Sequence, residues 1–228
     1  SAAGLAAVAL TDHDTVDGLA AAAQAGQRIG IEVVAGVELS CELAKKEVHI
    51  LGLLLEDATP LTQRLAALRL ARTSRLQQMM DRLAERGIVV TYADLPQEPG
   101  ISYGRPHLAQ ALVRKGVVKS ISEAFARYLG DECSAYVAKD RLPVADAVRL
   151  VHASGGLAFL AHPGPDGWAA DLKAFAETGL DGVEAYYPTH SGGTVQELIA
   201  VARAAGLVTT GGSDFHGPGT GRDKLAGF

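Results

Sequence analysis

Six short runs of Val, Ile, Leu and Ala recur along this 228-residue chain, and Ala-rich helical stretches separate most of them. The runs are Leu5 to Leu10, Ile31 to Ala35, Val48 to Leu55, Leu157 to Ala161, Gly182 to Ala185 and Leu207 to Thr210. Their length and β-branched content read as buried strands. The helical stretches are Asp17 to Gly30, Val144 to Ser154, Ala169 to Thr178 and Thr194 to Ala205. Gly30, Gly156, Gly179 and Gly206 stand where those helices should stop. Strands alternating with helices predict crossover connections and a mostly parallel sheet.

The middle of the chain breaks the rhythm. Leu61 to Arg86 carries apolar residues at helical spacing with many arginines on the other face. Arg105 to Lys115 and Ser120 to Leu129 read as shorter helices. The spacing therefore predicts a helical insert over residues 60–139, inside a domain made of residues 1–59 and 140–228. The first residues, Ser1 to Leu5, read as the end of a helix running into a strand.

Composition narrows the partners. The hydrophobic fraction is 48%, enough for one domain with a substantial core. The formal net charge is -5, so the chain as a whole is a poor generic binder of duplex DNA or of an anionic membrane. An anionic substrate must be attracted locally, by metal or by a few placed cations. Two cysteines, Cys41 and Cys133, fit a reducing cytoplasm better than a disulfide framework. No apolar run is long enough to span a bilayer.

The polar residues with chemistry to offer fall after the strands. Thr11-Asp12-His13-Asp14 follows the first run, and Gly36-Val37-Glu38-Leu39-Ser40 the second. His162-Pro163 follows the fourth, Tyr186-Tyr187-Pro188-Thr189-His190 the fifth, and Gly212-Ser213-Asp214-Phe215-His216-Gly217 the last. His49 stands inside an apolar run, where a satisfied core histidine is the plain alternative to a ligand. In a parallel α/β barrel all strand C-termini share one face, and that face carries the active site. The candidates are thus His13, Glu38, His49, His162, His190, Asp214 and His216, with Asp12 and Asp14 beside them. Imidazoles and carboxylates together suit manganese, iron or zinc. Asp14 or Thr15 has the bland alternative of a helix cap. Gly104-Arg105-Pro106-His107 opens a helix whose free amides, with Arg105 and His107, would hold an anion; Lys139 is a weaker candidate for the same task. The plain alternative is a well-capped insert helix.

Thr-Asp-His-Asp, Gly-Val-Glu-Leu-Ser, Val-His-Ile-Leu-Gly, Gly-Arg-Pro-His, Leu-Ala-His-Pro and Gly-Ser-Asp-Phe-His-Gly occur in this order. Together they resemble the PHP (polymerase and histidinol phosphatase) superfamily. The insert and Tyr-Tyr-Pro-Thr-His resemble its branch of nucleoside 3′,5′-bisphosphate phosphatases, whose members also act as 5′-3′ exoribonucleases on short RNA. The resemblance implies an α/β fold, a distorted (β/α)7 TIM-like barrel holding a cluster of divalent metal, commonly manganese, with iron, zinc or magnesium as alternatives. It implies metal ligands at His13, Glu38, His49, His162, Asp214 and His216. It makes Arg105, His107 and His190 phosphate or substrate contacts; beside it, we assign His190 and Asp12 to catalysis and Tyr187 to substrate binding. Related alternatives are a histidinol-phosphate or sugar-phosphate phosphatase, and a non-catalytic metal-binding module. Superfamily members begin with a His-x-His strand that this chain lacks. The resemblance therefore implies an N-terminally truncated sequence without the barrel's first strand, binding metal incompletely.

Overall fold

The computed structural model describes residues 4–44, 46–97, 103–163, 168–217 and 222. The helix end expected at residues 1–3 and part of the expected insert, residues 98–102, lie outside them. The chain divides into two compact units, residues 1–63 with 141–228, and residues 64–140.

The first unit is built on a seven-stranded mixed sheet. Its strands are β1 (Ala7–Leu10), β2 (Glu32–Leu43), β3 (Lys46–Leu53), β4 (Leu142–Pro143), β5 (Leu157–Leu160), β6 (Gly182–Tyr186) and β7 (Val208–Gly211). They lie in the order β1-β2-β3-β5-β6-β7, with β4 paired to β2. Helices α1 (Leu19–Ile29), α5 (Val144–Ala153), α6 (Trp168–Glu177) and α7 (Gly192–Ala204) connect them. The α1, α6 and α7 connections end on Gly30, Gly179 and Gly206 in the left-handed region. After α5 it is Gly155, not the expected Gly156, that takes a positive φ.

One expectation holds in part and one fails. Four of the six strand pairings are parallel, but β3 runs antiparallel to both β2 and β5. The reason is local: two residues separate Leu43 from Lys46, enough for a hairpin and far too few for a crossover. Consequently Gly36 to Ser40 is not a loop after a short strand but the middle of a twelve-residue one. The closed barrel is also not formed. Closure needs β1 and β7 to pair, and among the described residues they are the two ends of the strand path. The sheet nevertheless curls, since the rings of His13, just after β1, and His216, just after β7, come within 5.7 Å.

Alternation in the hairpin sorts its side chains. Val37, Leu39 and Cys41 on β2, with Val48 and Ile50 on β3, are buried. Glu38 and Ser40 point to the other face, as does His49, which is directly paired with Ser40.

The second unit contains α2 (Thr59–Ala84), which starts just before it, α3 (Arg105–Arg114) and α4 (Ile121–Ala124), which runs into a π-helical turn at Phe125–Leu129. Its own core gathers Leu76, Met79, Met80 and Leu83 of α2 with Leu108 and Leu112 of α3.

Candidate metal centre

The carboxylate of Glu38 organises the site. Its Oε1 lies 2.8 Å from His49 Nδ1 and 3.0 Å from His162 Nε2, and its Oε2 lies 3.5 Å from His13 Nε2. Register explains the convergence. His13 forms a parallel bridge with Glu38, while His49 sits diagonally across the hairpin from it. Because β3 runs against its neighbours, a residue near its start lies at the end where the others finish. His162 follows β5 at that same end.

The remaining residues close a ring around this carboxylate. Successive ring centroids are His216 to His13 at 5.7 Å, His13 to His49 at 5.0 Å, His49 to His162 at 5.1 Å, and His162 to Tyr187 at 5.6 Å. Tyr187 donates its hydroxyl to Asp214 Oδ2 at 2.7 Å. Asp214 returns to His216, whose Nδ1 donates to the Asp214 backbone oxygen at 2.8 Å and leaves its Nε2 for other use. His190 lies tilted against Tyr187, with ring centroids 5.2 Å apart. Its Nδ1–H donates to Ala185 O at 2.9 Å, which fixes the lone pair on Nε2, a buried atom with no partner.

Backbone strain accompanies the ring. His162 has φ 28° and Asp214 φ 51°, values that a side chain beyond glycine rarely adopts. The amide of His162 is held by Glu184 Oε2 at 2.7 Å. Asp14, also at φ 51°, accepts from Ser40 N at 2.9 Å and ties the loop after β1 to β2.

Electrostatics follow from burial and neighbours. Burial alone would raise the Glu38 carboxyl, but hydrogen bonds from His162 and His49 and the nearby His13 outweigh it and bring the group down to about 2. Burial works against a charged His162, yet Glu38 beside it raises its basicity. At Glu184 burial outweighs the hydrogen bond from the His162 amide and the nearby imidazole, and the carboxyl is pushed up to about 7. Burial and Asp214 raise the Tyr187 hydroxyl, keeping it a hydrogen donor.

The donor set fits a divalent ion. One ligand atom each from His13, Glu38 and His49 lies within 4.8 Å of the others. Glu38 presents its two oxygens to different imidazoles, as a carboxylate shared between ions does. Mixed imidazole and carboxylate donors suit borderline divalent metals.

Not every expected residue joins this ring. Asp12 turns its carboxylate to the start of α1, where its Oδ2 lies 2.8 Å from the place a Cβ on Gly18 would take. Arg105 and His107 belong to the second unit and are engaged within it. Arg105 donates to Leu129 O at 3.3 Å and Asp131 Oδ1 at 2.9 Å, and lies over the rings of Phe125 and Tyr136. His107 Nδ1 accepts from Gly104 N at 3.0 Å, capping α3. Lys139 lies in the same unit.

Two residues escaped the sequence reading. Glu184 stands in a strand read only as apolar. Its signal is a lone acid in a buried run, which is rare without a task. Arg222, whose Nη1 is 2.5 Å from Asp214 Oδ2, carries no local signal at all.

No family model matches the chain. Three characterised proteins are similar to it. A 3′,5′-nucleoside bisphosphate phosphatase of Chromobacterium violaceum is 35% identical, over 94% of this chain and 78% of that protein. A 5′-3′ exoribonuclease of Haemophilus influenzae is 33% identical, over 94% and 81%. A phosphoribosyl 1,2-cyclic phosphate 1,2-diphosphodiesterase of Eggerthella lenta is 36% identical, over 99% and 88%. Among solved structures, one described as a metal-dependent phosphoesterase from Bifidobacterium adolescentis is 30% identical with a TM-score of 0.68, covering 95% of this chain and 79% of its own. Another, described as an amidohydrolase from Chromobacterium violaceum with bound sulfate, is 34% identical at the same TM-score, covering 94% and 78%.

The fold and the ring define a metal-dependent phosphoesterase. The chain belongs to the PHP superfamily of such enzymes, in the group of the nucleoside bisphosphate phosphatases and 5′-3′ exoribonucleases. Among the described residues no helix is long and apolar enough to cross a membrane.

Proposed function

We propose that this enzyme removes phosphate from nucleoside 3′,5′-bisphosphates and trims short RNA from its 5′ end, in the reducing cytoplasm. The observation that carries the reading is the gathering of three imidazoles on the single carboxylate of Glu38. His13, Glu38, His49, His162, Asp214 and His216 would hold the divalent cluster, with manganese the first choice. When bound, such a cluster polarises the phosphoryl group and activates water at neutral pH.

The chain's own residues do the rest. A cleft of about 220 Å³, lined by Glu47, His49, His162 and Pro163, opens beside the ring and receives the phosphate end of the substrate. Tyr187 holds Asp214 in place through its hydroxyl. The Nδ1–H bond of His190 to Ala185 O orients the ring. In its protonated form His190 gives the Nε2 proton to the departing alcohol oxygen. Arg105 and His107 are proposed as anion contacts of the second unit, and Asp12 as a support of the loop after β1.

Phosphate release from adenosine 3′,5′-bisphosphate with manganese tests the reading. No release there, with release from histidinol phosphate, would transfer the assignment to that substrate. A second reading is phosphodiester cleavage of a phosphoribosyl cyclic phosphate. It is favoured by the relative that spans 99% of the chain. Turnover of that cyclic diester alone would select it.

A further inference from the structure

The segment after β7 brings two expected ligands, Asp214 and His216, on a strained backbone. Asp214 has φ 51°, in the left-handed region. Its side chain is 8% exposed, so its charge is largely withdrawn from water. A strained residue persists only where its surroundings over-determine it, and a buried carboxylate only where partners replace its hydration.

One residue holds both. Arg222 places Nη1 2.5 Å from Asp214 Oδ2, the oxygen that also accepts from the Tyr187 hydroxyl at 2.7 Å. The backbone oxygen of the same Arg222 accepts from the His216 N–H at 2.9 Å. Side chain and main chain of one residue thus grip positions 214 and 216 together. With two donors on Oδ2, the carboxylate cannot rotate without breaking a bond. Its Oδ1 faces the His216 ring, whose Nδ1 is 3.3 Å away and already donates to the Asp214 backbone oxygen at 2.8 Å. A carboxylate so arranged gives one oxygen to its supports and presents the other to a cation. The two partners also differ in exposure. The Arg222 side chain is 52% exposed, so it stays hydrated while it stabilises a buried negative charge.

We infer that Arg222 is a positioning residue of the metal centre, fixing Asp214 and His216 for a divalent ion. The inference rests on the proposed reading of those two residues as ligands, and it adds a residue that the sequence did not mark. Groups that orient metal ligands typically carry 10–100-fold of the metal affinity. The opposite role is a cation that competes with the metal for Asp214. Position argues against it, because Arg222 and Tyr187 share Oδ2, and an ion can take Oδ1 with both supports in place. The two roles predict opposite signs.

The test is calorimetric titration of manganese into the full chain, first stripped with EDTA and dialysed. No substrate is present, so the readout is independent of turnover. Arg222→Gln should weaken manganese binding by about 10–100-fold. Arg222→Lys restores the charge without the planar fork and should recover part of that loss. Arg141 makes a comparable pair in the same unit, its Nη1 3.0 Å from Glu42 Oε2, away from the ring. Arg141→Gln should therefore leave the affinity unchanged. A merely structural Arg222 would lower the urea midpoint in EDTA and leave the manganese affinity of the folded protein intact, and that result would overturn the inference. So would tighter binding in Arg222→Gln, the mark of a competing cation, or an equal loss in Arg141→Gln. Absence of manganese binding in wild type and variants alike would refute the metal centre and this inference with it. Wild-type binding matched by Arg222→Gln would overturn the inference alone, so the two failures are separable.

Discussion

Gly212→Ala should disable the centre without touching any residue of the ring. A Cβ at Gly212 would fall inside van der Waals contact with Glu184 Oε1. Glu184 is 4% exposed and cannot swing into water, and its other oxygen holds the His162 amide at 2.7 Å. Overpacking of this kind costs about 1–3 kcal/mol. If Glu184 turns aside, the His162 N–H loses its acceptor, at about 1–3 kcal/mol more. The two costs share one movement, so urea unfolding of the metal-free protein should show a loss of about 2–4 kcal/mol. His162, released from its positive φ, should misalign, and manganese affinity by calorimetry should fall about 10–100-fold, the usual cost of losing a group that orients a ligand. The decisive measurement is the double-mutant cycle. With Glu184→Ala already in place the new methyl meets no obstacle, and Gly212→Ala should cost less than about 1 kcal/mol. An equal cost in both backgrounds, or unchanged stability and affinity in the single variant, would refute the reasoning.

Other outcomes follow from the same geometry. In EDTA the Glu38 carboxyl titrates near 2, below its ordinary 4.5, so it binds protons more weakly folded than unfolded. Its contribution, up to about 3 kcal/mol, is present above pH 4.5 and lost as pH falls toward 2. Glu38→Gln should remove that part of the acid limb in urea titrations, and an unaltered limb would contradict it. His190→Gln should lower kcat on the bisphosphate about 10²–10⁴-fold with little change in manganese affinity, as loss of a proton donor does. A parallel loss of metal would instead make His190 a ligand. Of the two cysteines, Cys41 is buried with its thiol pushed well up by burial, while Cys133 is partly exposed. A thiol reagent should therefore modify one cysteine rapidly in the native protein and both in denaturant.

Much of this site was legible because polar residues after buried strands have few other reasons to be there. Asp214 and His216 stand two residues apart just past an apolar run, and His13 and His162 lie close behind theirs. Glu38 was found for a wrong local reason. The sequence places it just after a short strand, whereas the hairpin places it mid-strand, and a turn of two residues gives no warning of that length. The antiparallel direction of β3 was hidden likewise, because buried strands of either direction present the same apolar run. Glu184 was missed since one acid does not disturb such a run. Arg222 was missed because its partner, Asp214, is set by tertiary contact alone. Arg105 and His107 carried two readings in sequence; their contacts within the second unit cap and brace α3, and the anion role stays a proposal.

Calorimetric titration of manganese into the wild type and Glu38→Ala addresses the account most directly, because His13, His49 and His162 are drawn together through that carboxylate. The wild type should bind the ion saturably, and the variant should lose that binding together with phosphate release. Equal stoichiometry and affinity in the two proteins would contradict the assignment of the ring as a metal centre.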